Sequence, residues 1–169
     1  MVLVATTYEG DSPQLVAGIS GVVDAIEIAP DTIATTSGGR HRLRREVLAE
    51  HEAMANRMRF VAHGVGLSIG SCDNWNDDYI GLLDDLVEHV YLDWHSEHRA
   101  CTTVDGESPG TMLALPITAE ALYLLCERVD RIQTRYQKEF LFEHVIRLLP
   151  QPEAEFSDAV NWRVGLRIR

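Results

Sequence analysis

Along the chain, short apolar runs rich in β-branched residues alternate with longer stretches in which apolar residues recur every three or four positions. A short unbroken apolar run fits a buried strand, and a period of roughly 3.6 residues fits one face of a helix. Five runs predict strands: Val2 to Thr6, Val22 to Ile28, Phe60 to His63, Tyr91 to Ser96 and Phe140 to Glu143. Their brevity and their alternation with helical stretches predict parallel βα units rather than a sandwich or a helix bundle. Ile80, Leu83, Leu86, Val87 and Val90 follow Asn76, Asp77 and Asp78, whose carboxylates suit the positive end of a helix. Leu122, Leu125, Val129, Ile132 and Tyr136 define another helix, opened by Pro116 with Thr118 as N-cap and closing near Lys138. A further helix is predicted from His41 to Met58, with Leu43, Val47, Met54 and Met58 on its apolar side. Asp105-Gly106 and Pro109-Gly110 mark turns in the long connection from Arg99 to Ile117. Past Pro150 the pattern weakens, with a short helix over Glu153 to Val160 and a last strand or frayed tail over Val164 to Ile168.

A length of 169 residues suits one domain with a real core. Fifteen Lys and Arg against 26 Asp and Glu give a formal net charge of −11. That charge repels nucleic-acid backbones and anionic membrane surfaces, so neither is expected as a partner. The basic cluster Arg40 to Arg45 precedes Glu46, Glu50 and Glu52 at helical spacing and reads as an internally paired, solvated face. Cys72, Cys101 and Cys126 are odd in number, far apart and without CxxC spacing, which argues for reduced thiols rather than a disulfide framework or zinc knuckle. The N-terminus lacks a basic region ahead of its apolar run, and no segment approaches the roughly 18 apolar residues of a membrane span. These features lead us to expect a cytoplasmic protein.

The polar residues show a second regularity. Glu27, His63, the pair Glu97-His98, and Glu143 each fall at or just after the C-terminal end of a predicted strand. In a parallel sheet or barrel those ends share one face, the face on which active sites are built. Any one histidine alone has the ordinary reading of a hydrogen-bonded structural residue; the coincidence of strand ends is what points to a site. His63, His98 and Glu143 would form a two-imidazole, one-carboxylate set for iron, with zinc or manganese served equally well. Glu97 could orient an imidazole from behind. His41, His51, His89 and His95 lie on predicted helices or within a strand and read as surface or packing residues. Gly64, Gly66 and Gly70 do not make GxGxxG, and read as positions where the backbone passes close to an ion or substrate or turns sharply.

"FVAHGVGLSIGS" (60–71), "SEH" (96–98), "LALPITAEAL" (113–122) and "FLFEHV" (140–145) resemble, in order and spacing, landmarks of the multinuclear non-heme iron-dependent oxidative enzymes, the family of the methanobactin-biosynthesis oxidase. The likeness runs from about Val22 to about Val160. It implies a TIM-like (β/α) barrel with two or three irons that oxidises cysteine or other residues of a ribosomally made precursor peptide, often presented by a partner protein. It also implies His63, His98 and Glu143 as iron ligands, the same residues selected by the strand ends. Ala29 stands where the family commonly has histidine, and His144 follows Glu143 as a further candidate. A full barrel needs about 250 residues. The expected fold class is therefore α/β, an incomplete (β/α) barrel of about five parallel strands, with 1–150 as the N-terminal part of the barrel and 151–169 as a tail. Open sheet edges in such a fold predict self-association or a partner. The expected function is an iron-dependent peptide oxidase, truncated or divergent. The alternatives are a non-catalytic half-barrel binding subunit and a sugar-isomerase-like metal-dependent barrel.

Overall fold

The computed structural model describes residues 2–38, 40–145 and 154–155. In chain order the elements are β1 (Ala5–Thr7), α1 (Pro13–Ile19), β2 (Ala25–Ile28), β3 (Ala34–Ser37), β4 (Arg40–Leu43), α2 (Arg45–Met54), β5 (Arg59–Gly64), α3 (Asp77–His89), β6 (Leu92–His98), β7 (Ala100–Cys101), β8 (Leu113–Ala114), α4 (Ala119–Tyr136) and β9 (Glu139–Glu143). The central feature is a five-stranded parallel sheet of order β1-β2-β5-β6-β9. All five strands expected from the apolar runs are the strands of this sheet. The fold is α/β, and its strand order is that of part of a TIM-like barrel. Thr7 lies opposite Glu27, Glu27 opposite Val61, and Ile28 opposite Ala62.

The chain forms two compact units: Met1–Leu67 with Asn76–Ser96, and Ser68–Trp75 with the chain from Glu97 onward. In the first unit Ala25, Ile26, Ile28 and Ala62 are wholly buried. Helix α3 adds Tyr79, Leu82, Leu83 and Leu86 to this core. Full burial of each such leucine or isoleucine contributes about 1.5–3 kcal/mol. The α3 start is fixed by Asn76, whose Oδ1 accepts from the amides of Asp78 at 3.1 Å and Tyr79 at 3.3 Å. Its Nδ2 also donates to Gly66 O at 2.9 Å, tying the helix start to the segment after β5.

The predicted helix from His41 begins later. Arg40–Leu43 is a strand, paired antiparallel with Ala34–Ser37 so that Ala34 faces Leu43 and Ser37 faces Arg40. Leu43 is buried as a strand residue. Arg44 is extended at φ −67°, ψ 119°, so the helix starts only at Arg45. Two arginines of the basic cluster pair with residues other than the glutamates that follow them. Arg44 meets Asp11 at 3.1 Å and Arg45 meets Asp85 at 3.5 Å.

In the second unit α4 opens as expected, with Thr118 Oγ1 accepting from Ala121 N at 3.2 Å. It ends at Gln137, which adopts the left-handed conformation at φ 52°. Glu155 places a carboxylate oxygen 2.6 Å from Ala119 N in the first turn, where the helix dipole favours negative charge. Within the long connection, β7 and β8 pair, and Val104 bridges Glu107 across Asp105 and Gly106. Both tip residues have positive φ, 52° and 76°, as a tight hairpin turn requires. The helix expected over Glu153 to Val160 lies outside the described residues apart from Ala154 and Glu155, and the strand over Val164 to Ile168 lies wholly outside them. No helix among the described residues is long and apolar enough to cross a membrane.

Candidate metal centre

His63 is carried near the end of β5, behind the buried Phe60, Val61 and Ala62. Its Nδ1 is 3.0 Å from Ser96 Oγ, and the same hydroxyl donates to Ala62 O at 3.2 Å. Asp31, in the same unit, was not singled out by the sequence pattern. Its Oδ1 is buried with no hydrogen-bond partner among the described residues. Burial raises its pKa, and this is opposed by its own amide, by His63 and by the amides of Val65 and Gly66. Gly66 makes room for this carboxyl: a Cβ there would stand 3.3 Å from Asp31 Oδ2 and 3.3 Å from Tyr79 Cδ2. His95 is a packing residue, as expected. Burial, with a smaller contribution from His63, pushes its pKa down to about 3. The neutral ring lies against Tyr79, with Tyr79 Oη 3.3 Å from Nε2. Glu27 faces the edge strand instead of a histidine, accepting from Thr7 Oγ1 at 3.3 Å.

In the second unit His98 Nε2 is 3.7 Å from Glu143 Oε1. The His98 side chain is 14% exposed and that of Glu143 is 59% exposed. Strand β9 is held here by Arg99 N, which donates to Glu143 O at 3.0 Å. Glu97 is buried, and its Oε2 accepts from the His98 backbone amide at 3.1 Å. Arg99 is also buried. The segment Ser68–Trp75 is stitched to residues 100–103. Gly70 N donates to Ala100 O at 2.9 Å, Ser71 Oγ donates to Thr103 O at 2.8 Å, and Ser68 Oγ accepts from Thr102 N at 2.9 Å. Arg128, buried on α4, donates to Ile69 O at 2.7 Å. Gly70 has its own cause, since a Cβ there would come within 2.5 Å of Leu115 Cδ2.

His98 and Glu143, in the second unit, offer an imidazole nitrogen and a carboxylate oxygen as ligand atoms, and His63, at the end of β5 in the first unit, offers another imidazole nitrogen. Two neutral nitrogens and one anionic oxygen are a donor set for a divalent transition metal, with coordination positions left over for a substrate. The buried Asp31 oxygen beside His63 is a second sign that the residues suit a cation, because a carboxylate oxygen is costly to bury without a partner.

The sequence profile of the family described as RiPP precursor modification enzyme MbnB/TglH/ChrH matches residues 13–164. The chain belongs to this family. Among curated relatives, a UPF0276 protein of Rhizorhabdus wittichii is 29% identical over 161 residues, covering 93% of this chain and 53% of the relative. A UPF0276 protein of Anaeromyxobacter is 34% identical over 126 residues, covering 72% of this chain and 44% of the relative. One from Caulobacter vibrioides is 30% identical over 144 residues, covering 82% and 49% respectively. The chain thus spans about half the length of the curated relatives it matches. As a member of the MbnB/TglH/ChrH family it shares the resemblance inferred from its motifs, and the matched segment contains every residue of the candidate centre.

Proposed function

We propose that this chain is part of an iron-dependent oxidase acting on a RiPP precursor peptide, with His63, His98 and Glu143 as metal ligands. The reading is supported by membership of the MbnB/TglH/ChrH family, by the His98–Glu143 pair in the second unit and by His63 at the end of β5 in the first. Iron held there would supply one-electron redox chemistry at its open coordination positions. The protein's part is to present two imidazole nitrogens and one carboxylate, which offset the ion's charge. The more exposed Glu143 leaves one side accessible to a cysteine-bearing peptide delivered by a presenting partner. Glu97 fixes the backbone of His98, and in this reading His144, next to Glu143, and Glu27, at the end of β2, would be the further candidates to meet a substrate. Protein purified without oxygen should contain iron, and Glu143→Ala should lower that content. Absence of iron from both forms would end the proposal. Oxygen uptake with a candidate peptide separates an oxidase from a sugar-isomerase-like metal enzyme, which uses no oxygen.

A second reading is supported by exposed apolar residues in and around β1 and α1. Val2, Val4, Leu15 and Val22 are exposed there, Val2 by 88%. The chain would then be a half-barrel binding subunit that associates through its sheet edge. A compact, stable monomer in sedimentation would argue against it.

A further inference from the structure

We infer that Ser96 is a positioning residue that sets the tautomer of His63 and so decides which imidazole nitrogen is offered to a metal. The inference rests on the reading of His63 as a ligand only for its functional consequence. The geometry stands without it. Ser96 Oγ lies 3.2 Å from Ala62 O and 3.0 Å from His63 Nδ1. A carbonyl oxygen can only accept, and a serine hydroxyl has one hydrogen to give. With that hydrogen committed to Ala62 O, the hydroxyl can only accept from the imidazole. In the neutral ring Nδ1 must then carry the hydrogen, and Nε2 keeps its lone pair. A neutral histidine in water favours the opposite form, with hydrogen on Nε2, which presents no lone pair there. Metal-binding histidines usually donate their second ring N–H to a protein oxygen, which fixes both tautomer and ring orientation. Here that oxygen comes from β6 and its own orientation comes from the backbone of β5, the strand bearing His63. The relay Ala62 O, Ser96 Oγ, His63 Nδ1 is therefore built from neighbouring strands of one sheet.

Two readouts on the full chain test this. Long-range nitrogen–proton NMR correlations of metal-free, nitrogen-15-labelled protein report which His63 nitrogen carries hydrogen, with His63→Gln used to assign the signals. The wild type should show the Nδ1–H form. Ser96→Ala should move the population toward Nε2–H, and Ser96→Thr, which keeps the hydroxyl, should retain the wild-type form. Ferrous ion added anaerobically should bind about 10–100-fold more weakly to Ser96→Ala, with Ser96→Thr close to wild type. An Nε2–H wild type would overturn the inference, as would a Ser96→Ala variant with an unchanged tautomer. Wild-type protein with the expected tautomer but no affinity for ferrous ion would defeat the proposed function and uphold the role of Ser96.

Discussion

Replacing Gly70 by alanine should destabilise the second unit through a contact with one identifiable side chain. The added Cβ would sit 2.5, 2.6 and 2.7 Å from Cδ2, Cδ1 and Cγ of Leu115. These separations are far inside a carbon–carbon contact of about 3.5–4.0 Å. Leu115 is 5% exposed and cannot swing into solvent. Gly70 itself is pinned by its amide on Ala100 O. Overpacking of this kind costs about 1–3 kcal/mol. The loss of unfolded-state freedom on going from glycine to alanine returns about 0.4–1 kcal/mol. The expected net loss is therefore about 1–2 kcal/mol. At a urea dependence of about 1–3 kcal/mol per molar, this lowers the midpoint by roughly 0.3–2 M. The stringent test is a double-mutant cycle. Leu115→Ala alone should cost about 2–5 kcal/mol by opening a cavity. Combined with Gly70→Ala it should cost about 1–2 kcal/mol less than the sum, because the atoms that clash are gone. Additivity within about 0.5 kcal/mol would refute the reasoning.

Gly81→Ala should do the reverse, because Gly81 lies inside α3 and a Cβ there meets nothing within 4 Å. Chemical denaturation should show a gain of about 1 kcal/mol. Acidification should weaken the fold through His51, which is wholly buried and donates from Nδ1 to Val47 O. Burial chiefly lowers its pKa in the folded state, while backbone hydrogen bonding partly opposes the shift. The unfolded chain therefore takes up the proton first. Stability is full above the unfolded value of about 6.5 and falls as pH drops below it, by up to about 1.4 kcal/mol per pH unit for each such group. Urea midpoints measured from pH 7.5 to 5.5 should decline, and His51→Gln should flatten the decline.

The parts of the fold legible in the sequence are those written in local patterns. Strands β2 and β5 are legible as apolar runs because they are mostly buried, whereas β1 and β9 carry more exposed positions and are marked by shorter apolar runs. The starts of α3 and α4 showed as Asn76 and Thr118. The hairpin of β3 and β4 did not show, because Ala-Thr-Thr-Ser and Arg-His-Arg-Leu contain one large apolar residue between them, and the basic run mimics a solvated helix face. The positions of His63, His98 and Glu143 at the ends of β5, β6 and β9 were legible because each follows an apolar run. Asp31 was not, since its place beside His63 depends on the non-local approach of the segment at Gly66. Ser96 was hidden for the same reason: a lone serine in a strand carries no pattern. The glycines of "HGVGLSIGS" were expected to admit a ligand or a turn. In the structure Gly66 admits Asp31 and Tyr79, and Gly70 admits Leu115.

In the proposed function His63, His98 and Glu143 hold a redox metal. Diffraction from anaerobically grown, iron-loaded crystals, with anomalous data on both sides of the iron absorption edge, tests it directly. The expected result is an iron peak bonded to imidazole nitrogens of His63 and His98 and to the Glu143 carboxylate. A peak bonded elsewhere, for example to the thiols of Cys72 and Cys101, or no peak in protein shown to be folded, would contradict it.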